Sequence, residues 1–284
     1  MSDVYIREDM AVQLAQQPLL QWAIDTADAA ASKDIYRSRE GRKTLRFALG
    51  EKAFFLKLHR GIGWGEILKN LLQFRLPVTS ARNEYVAVRR LERIGVPTLS
   101  IAAYGSWGRN PAIRDSLLVT DELTHTVSLE DYCADWAASP PPPALRQKLV
   151  AMLAQTSRSM HAAGINHRDY YLCHFHLDLE SLATTPRAHV IDLHRAQCRD
   201  VVPKRWLIKD LAGLYFSAMD CGLTLRDVLR FLKHYEVSGL HTAFGERSGF
   251  WMTVSAKAQQ LYRREHGREP PLPRVLLEAG SSES

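Results

Sequence analysis

Cysteine is scarce in this chain: four in 284 residues, at positions 133, 173, 198 and 221, with no C-x-x-C pair. That scatter excludes a disulfide framework and a zinc ribbon, and it fits a reducing cytoplasm. Long apolar runs are missing too. The best candidate for a membrane span, Leu207 to Leu223, is interrupted by Lys209, Asp210 and Asp220, well short of the roughly 18 uncharged apolar residues a span needs. The first residues, MSDVYIREDMAVQLAQQPLL, carry acids and no continuous apolar stretch, unlike a secretory signal. No internal repeat is present. The net charge of +6 and pI near 9.2 favour an acidic partner. The basic residues are not gathered into one stripe interleaved with aromatics, which argues against a nucleic-acid binder.

What is present is an ordinary globular composition, 46% hydrophobic and 24% charged, long enough for two lobes. KTLRFAL (Lys43–Leu49) and AFFLKLH (Ala53–His59) alternate in polarity around Gly50-Glu51-Lys52, a hairpin signature. A helix is expected from about Ala81 to Ile94, with Tyr85, Val88, Leu91 and Glu84 on one side and Gly95 and Pro97 ending it. LSIAAYGSW and SLLVTDEL read as a further strand pair, the second ending at Asp121-Glu122-Leu123. The prolines at 140–143 introduce a helix to about His161, with Leu145, Leu149, Met152, Leu153, Thr156 and Met160 as its apolar stripe. Gly164 stops it. A short strand, AHVIDLH, and helical KDLAGLYFSAMD and LRDVLRFLKHY follow. The order predicts an α+β protein of two lobes: a β-rich part with one main helix, residues 1–123, and a mostly helical part, 124–284. The terminal LEAGSSES reads as a disordered tail.

INHRDYYLCHFHLDLE, Ile165 to Glu180, is the densest stretch of chemistry. A zinc site of His174, His176 and His194 would need a further convergent ligand, so cleft-lining or structural roles are favoured, with His174 and His176 on one strand face, and His167 is expected to brace the loop by hydrogen bonding. Other residues change the reading. Lys57 is an odd charge inside an apolar strand, Glu84 lies on the only good helix of the first part, Asp169 follows His167-Arg168, and Asp192 ends the strand HVID. Phosphoryl transfer from ATP requires these groups on these elements: a strand Lys on the phosphates, a helix Glu holding that Lys, a loop Asp for the acceptor hydroxyl and a second Asp for Mg²⁺. Glu92, two turns beyond Glu84, is the rival for the helix position.

NHRD, VIDLHRAQ and KDLA resemble the catalytic core of the protein-kinase-like superfamily. More narrowly, FFLKLHRGIGWGEILKN, ARNEYVAVRRL and INHRDYYLCHFHL…VIDLHRAQ resemble the bacterial lipopolysaccharide kinases that phosphorylate inner-core heptose. The resemblance spans about Tyr36 to Tyr235. It implies a bilobal protein-kinase-like fold, ATP and Mg²⁺, and a sugar hydroxyl of the lipopolysaccharide core as acceptor, met at the cytoplasmic face of the inner membrane. By resemblance, Asp169 is the catalytic base and Lys57, paired with Glu84, grips the α/β-phosphates. Backbone groups at Asp121, Glu122 and Leu123 hold the adenine edge, Asp192 binds Mg²⁺, and Asp210 braces the catalytic loop.

Three departures stand out. His174 occupies the position of the loop Asn, and Mg²⁺ prefers oxygen to imidazole nitrogen. The G-x-G-x-x-G loop is replaced by YRSREGRKTLR, where Arg42 and its basic neighbours take over phosphate holding. Asp192-Leu193-His194 replaces Asp-Phe-Gly and argues against a swinging activation loop. Rival readings are a tyrosine-directed protein kinase, which lacks a closing A-P-E between Asp192 and Asp210, and a pseudokinase scaffold. The segment Arg60–Pro77, with Ile67, Leu68, Leu71, Leu72 and Phe74 against Lys69 and Arg75, forms a basic amphipathic helix. It serves either lobe packing or contact with anionic lipid or an acidic, acyl-bearing protein.

Overall fold

The structure, a computed structural model, describes residues 3–14, 16–39, 41–72 and 80–271. It divides into two compact units. The first gathers the described residues up to Arg89 with Leu99–Thr124 and Leu193–Arg195; the second gathers Arg90–Thr98, His125–Asp192 and the described residues from Ala196 on.

The first unit holds, in chain order, β1 (Asp3–Ile6), α1 (Glu8–Gln13), α2 (Leu19–Ala29), β2 (Ile35–Arg39), β3 (Arg42–Leu49), β4 (Lys52–His59), α3 (Gly63–Leu72), α4 (Arg82–Arg93, which runs on into the second unit), β5 (Ile101–Trp107) and β6 (Asp115–Asp121). The six strands make one antiparallel sheet in the order β1-β5-β6-β4-β3-β2. The alternation in β4 sends Phe54, Leu56 and Leu58 to one face, where they meet Met10, Leu14, Leu19, Trp22, Ala23 and Ala27 of the N-terminal segment. Lys57 therefore lies on the other face, with Thr44 and Leu118 as its cross-strand neighbours. On α4 the expected face is buried: Ala87, Val88, Leu91 and Glu84 are wholly out of water, and Tyr85 stacks on Tyr104 at 3.9 Å. The α3 helix forms within the basic amphipathic segment and exposes Trp64, Leu68 and Leu72. Phe74, Arg75 and Pro77, like the terminal LEAGSSES, lie outside the described residues.

The second unit is mostly helical. It contains β7 (Thr126–Ser128), α5 (Leu129–Tyr132), α6 (Pro143–Ala162), β8 (Ile165–Asn166), β9 (Phe175–Asp178), β10 (Ala188–Val190), β11 (Gln197–Cys198), α7 (Lys204–Ala218), α8 (Leu225–Tyr235), α9 (Leu240–Phe244) and α10 (Ser248–His266). Its strands form two small antiparallel sheets, β10-β9-β7 and β11-β8. The helical core joins Ala154 of α6 to Leu211 and Ala212 of α7 and to Phe250, Val254, Ala258 and Tyr262 of α10.

The buried stripe of α6 differs from the apolar one expected. Leu149 and Met160 are buried, but so are Arg146, Ser157 and His161, while Leu145, Met152, Leu153 and Thr156 are only half-buried. The polar members are tolerated because each finds a partner: Arg146 bonds Asp227 at 2.9 Å and the Gly222 carbonyl at 2.6 Å, and His161 meets the Tyr235 hydroxyl at 3.0 Å. A second correction concerns His174 and His176. They do not share one strand face, because His174 ends a 3₁₀ turn (Leu172–His174) and only His176 lies on β9.

Candidate active site

In the first unit the Lys57 ammonium sits 2.5 Å from Glu84 Oε1, with Glu84 fully buried and the Lys57 side chain 15% exposed. Strand β4 supplies the lysine from mid-sheet and the first turn of α4 supplies the carboxylate, where it also favours the helix dipole. Glu92, the rival, is exposed. His59, two residues beyond Lys57 on the same strand face, is buried opposite Arg42 in the β3–β4 register. Burial first, then the nearby Arg42, Lys57 and His194, push its pKa down to about 3. It is therefore a neutral imidazole among cations.

At the end of β6, Asp121 and Glu122 are tied down on both main chain and side chain. Their N–H groups donate to the carbonyls of Ser100 and Ala53 at 3.0 Å each. The Arg7 guanidinium grips both Asp121 oxygens at 2.7 and 2.8 Å, and Arg46 does the same to Glu122 at 2.7 and 2.9 Å. Arg46 also holds the Glu122 carboxyl below the usual carboxylate range. Among the described residues the N–H of Leu123 makes no such bond. The grips by Arg7 and Arg46 were not legible in the sequence, because both depend on which strands become neighbours.

In the second unit, α6 ends at Gly164, whose φ of 75° a residue with a side chain rarely adopts. A Cβ there would also lie 1.9 Å from the Arg199 carbonyl oxygen, so only glycine lets β8 and β11 close on each other. The loop that follows is fastened by a single buried carboxylate. Asp210, on α7, accepts the backbone N–H of His167 at 2.6 Å and of Arg168 at 2.8 Å. His167 is wholly buried, burial lowers its pKa, and its Nε2 lies 2.8 Å from the Ile191 carbonyl. A carbonyl can only accept, so Nε2 carries the proton of this neutral ring.

His174 repeats the arrangement one step outward. Its Nδ1 lies 2.6 Å from the Asp169 carbonyl, hence donates, and its ring stacks on His167 at 5.5 Å. The other nitrogen, Nε2, stands 3.6 Å from Asp192 Oδ2. Two non-glycine residues of this region, Arg168 (φ 78°) and Asp192 (φ 57°), hold left-handed backbone, the kind of local strain that packed surroundings impose at functional sites. Asp169, His174 and Asp192 are thus brought together within one unit. Asp192 Oδ2 and His174 Nε2, when the latter is unprotonated, are two lone-pair donors of a kind that divalent cations accept. Among the described residues no group of three or more His, Cys, Asp or Glu converges as a metal cage. His176 goes elsewhere, 3.3 Å from Thr126 Oγ1. Tyr170 is packed in the core with its hydroxyl 2.9 Å from Ser157 Oγ.

The chain is similar to known proteins over most of its length. The chain is 51% identical over 233 residues to the lipopolysaccharide core heptose(I) kinase WaaP of Pseudomonas aeruginosa, covering 81% of this chain and 87% of that one. It is 44% identical over 258 residues to the protein of the same name from Escherichia coli K12, covering 89% and 97%. A solved structure of WaaP in complex with acyl carrier protein superposes with a TM-score of 0.78 at 39% identity, covering 92% of this chain and 99% of that one. The fold is accordingly kinase-like. With residues 28–235 matching the family's profile as well, the chain belongs to the lipopolysaccharide kinase (Kdo/WaaP) family.

Proposed function

We propose that this protein transfers the γ-phosphoryl group of ATP to a heptose hydroxyl of the lipopolysaccharide inner core. The observation that carries the proposal is the Lys57–Glu84 ion pair at 2.5 Å, a charge held ready on a strand in a chain half identical to a heptose kinase. Lys57, with Arg42 and neutral His59 nearby, grips the nucleotide phosphates. The Leu123 N–H and the main chain at Asp121 and Glu122 hold the adenine edge. These groups belong to the part of the chain up to about 123; the acid–base groups belong to the part from 124 on.

Asp169 is the base. Its carboxylate takes the proton of the heptose hydroxyl as that oxygen bonds to the γ-phosphorus, and the bond to the β-phosphate oxygen breaks to release ADP. Asp192 would hold a divalent ion, Mg²⁺ in the usual case, through oxygen, with His174 Nε2 beside it as the weaker ligand for that ion. When bound, that ion neutralises charge on the phosphates. Family membership favours this sugar acceptor over a tyrosine, and the retained Lys57, Asp169 and Asp192 count against a pseudokinase scaffold.

A second contact is favoured by the α3 surface, where Leu68, Leu72 and Trp64 are exposed beside Lys69. We propose that an acidic, acyl-bearing protein docks there; the solved WaaP relative is itself in complex with acyl carrier protein. No helix among the described residues is long and apolar enough to cross a membrane, so work at the cytoplasmic face of the inner membrane would rest on peripheral contact.

The test is phosphate transfer from ATP to dephosphorylated core oligosaccharide, with Asp169→Ala alongside. A phosphomonoester on heptose is expected from the wild type, and a turnover lower by about 10²–10⁴ from the variant. Full activity in Asp169→Ala would remove Asp169 from the role of base.

A further inference from the structure

Arg7 follows β1 directly, and its main chain is fixed before its side chain comes into play. β1 pairs with β5 over Asp3–Ile6, and the Arg7 N–H donates to the Ala102 carbonyl at 2.9 Å. Met10, just beyond, is buried in the core of the first unit. From that footing the guanidinium uses every one of its N–H donors. Nε and Nη2 hold the two oxygens of Asp9 at 2.7 and 2.9 Å. Nη2 and Nη1 hold the two oxygens of Asp121 at 2.7 and 2.8 Å, and Nη1 also donates to Ser100 Oγ at 3.0 Å. Ser100 closes the ring, because its carbonyl accepts the Asp121 N–H at 3.0 Å. Asp121 is thus held by side chain and main chain at once.

Stability alone is a poor reason for such a grip. The Arg7 and Asp121 side chains are 26% and 33% exposed, and ion pairs that water reaches add little to folding. What a filled fork supplies is direction, since a planar guanidinium holds a carboxylate in a set orientation. Asp121 ends β6, and the two residues after it complete the main chain read above as the adenine edge. A hydrogen bond weakens steeply as its angle closes, so the tilt of Asp121 governs how well that edge meets a purine.

We infer that Arg7 is a positioning residue for the nucleotide: through Asp121 it sets the direction of the main chain at 121–123, and with it a preference for adenine over guanine. Resting on the kinase reading above, this assigns base selection to a residue that precedes the stretch matched by the family profile.

The test is steady-state phosphorylation of dephosphorylated core oligosaccharide by the full chain, with ATP or GTP as donor. The wild type should prefer ATP. Arg7→Met, which keeps an unbranched stem and removes the fork, should raise KM for ATP about tenfold. Its kcat and its KM for the acceptor should stay within about twofold of wild type. KM for GTP should hardly move, so the preference in kcat/KM falls by the same factor of about ten. Arg7→Lys should recover only part of the loss, because one ammonium cannot grip two carboxylates in a plane. In an Asp121→Ala background Arg7→Met should add no further rise, since its effect runs through that carboxylate. A wild type indifferent to the base would overturn the inference. So would wild-type constants in Arg7→Met, equal rises in KM for ATP and GTP, or rises that multiply in the double variant. If Arg7→Met does not fold, Arg7→Lys and Asp121→Ala carry the same comparison of ATP with GTP. No transfer by the wild type from either nucleotide would instead overturn the kinase reading itself.

Discussion

Glu84 and Asp210 are both completely buried, one in each unit, and the two carboxylates are neutralised in different ways. Glu84 is met by one full opposite charge, at one oxygen; its other oxygen, Oε2, has no hydrogen-bond partner among the described residues. Asp210 is met by two backbone N–H groups, one on each oxygen, with His161 Nε2 a further 3.5 Å away. A side chain held by a side chain can be released by a rotamer change. A loop held by its own main chain cannot move without breaking both bonds. The contrast suits the tasks proposed for the two residues, a lysine that adjusts to a nucleotide and a base, Asp169, that keeps its aim.

The largest effect that tests this contrast is on stability. Asp210→Ala strips two buried N–H groups of their acceptor and should cost about 3–5 kcal/mol in denaturant unfolding. A loss below about 1 kcal/mol would mean that water replaces the carboxylate and that the loop is not fastened as described.

Next comes the pH dependence of the first unit. The folded-state pKa of His59 is depressed from 6.5 to about 3, so below pH 6.5 the unfolded chain takes up a proton that the folded chain refuses. The stability this group contributes is present above pH 6.5 and is lost as pH falls toward 3. Between pH 7 and 5 the loss should be about 2 kcal/mol, and His59→Leu should flatten that part of the urea-midpoint curve. An unchanged slope would place the titration elsewhere, on His167 for instance, which is also held neutral by burial.

The smallest stability effect belongs to Glu84→Gln, at about 1 kcal/mol, because the amide oxygen still accepts from Lys57. Its turnover should nevertheless fall at least about tenfold as the lysine loses its fixed position. The two carboxylates are then separated by opposite profiles: Asp210 by melting, Glu84 by kinetics.

Much of this frame was legible in the sequence, for physical reasons. Period-two alternation placed Lys57 on the face away from Phe54, Leu56 and Leu58, and period-3.6 spacing put Glu84 with Val88 and Leu91. Gly164 marked a helix end because its left-handed backbone tolerates little else. What stayed hidden depends on partners distant in sequence. Arg146 and His161 are buried on α6 only because Asp227 and Tyr235 meet them, and an apolar-stripe reading passes over such residues. Arg7 reaches Asp121 across 114 positions, and it lies outside the stretch matched by the family profile. His174 sits in a run that alternates like a strand, yet a 3₁₀ turn closed by its N–H on the Tyr171 carbonyl places it, and its Nδ1 then meets the Asp169 carbonyl.

The proposed division of labour, nucleotide grip by Lys57 and base by Asp169, is tested most directly by measuring ATP affinity calorimetrically for Lys57→Ala and Asp169→Ala side by side. Asp169→Ala is expected to bind ATP within about twofold of wild type while turning over hardly at all, and Lys57→Ala to weaken binding by about tenfold or more. Equal loss of ATP affinity in both variants would contradict it, because Asp169 would then be part of the nucleotide grip rather than the base for the acceptor.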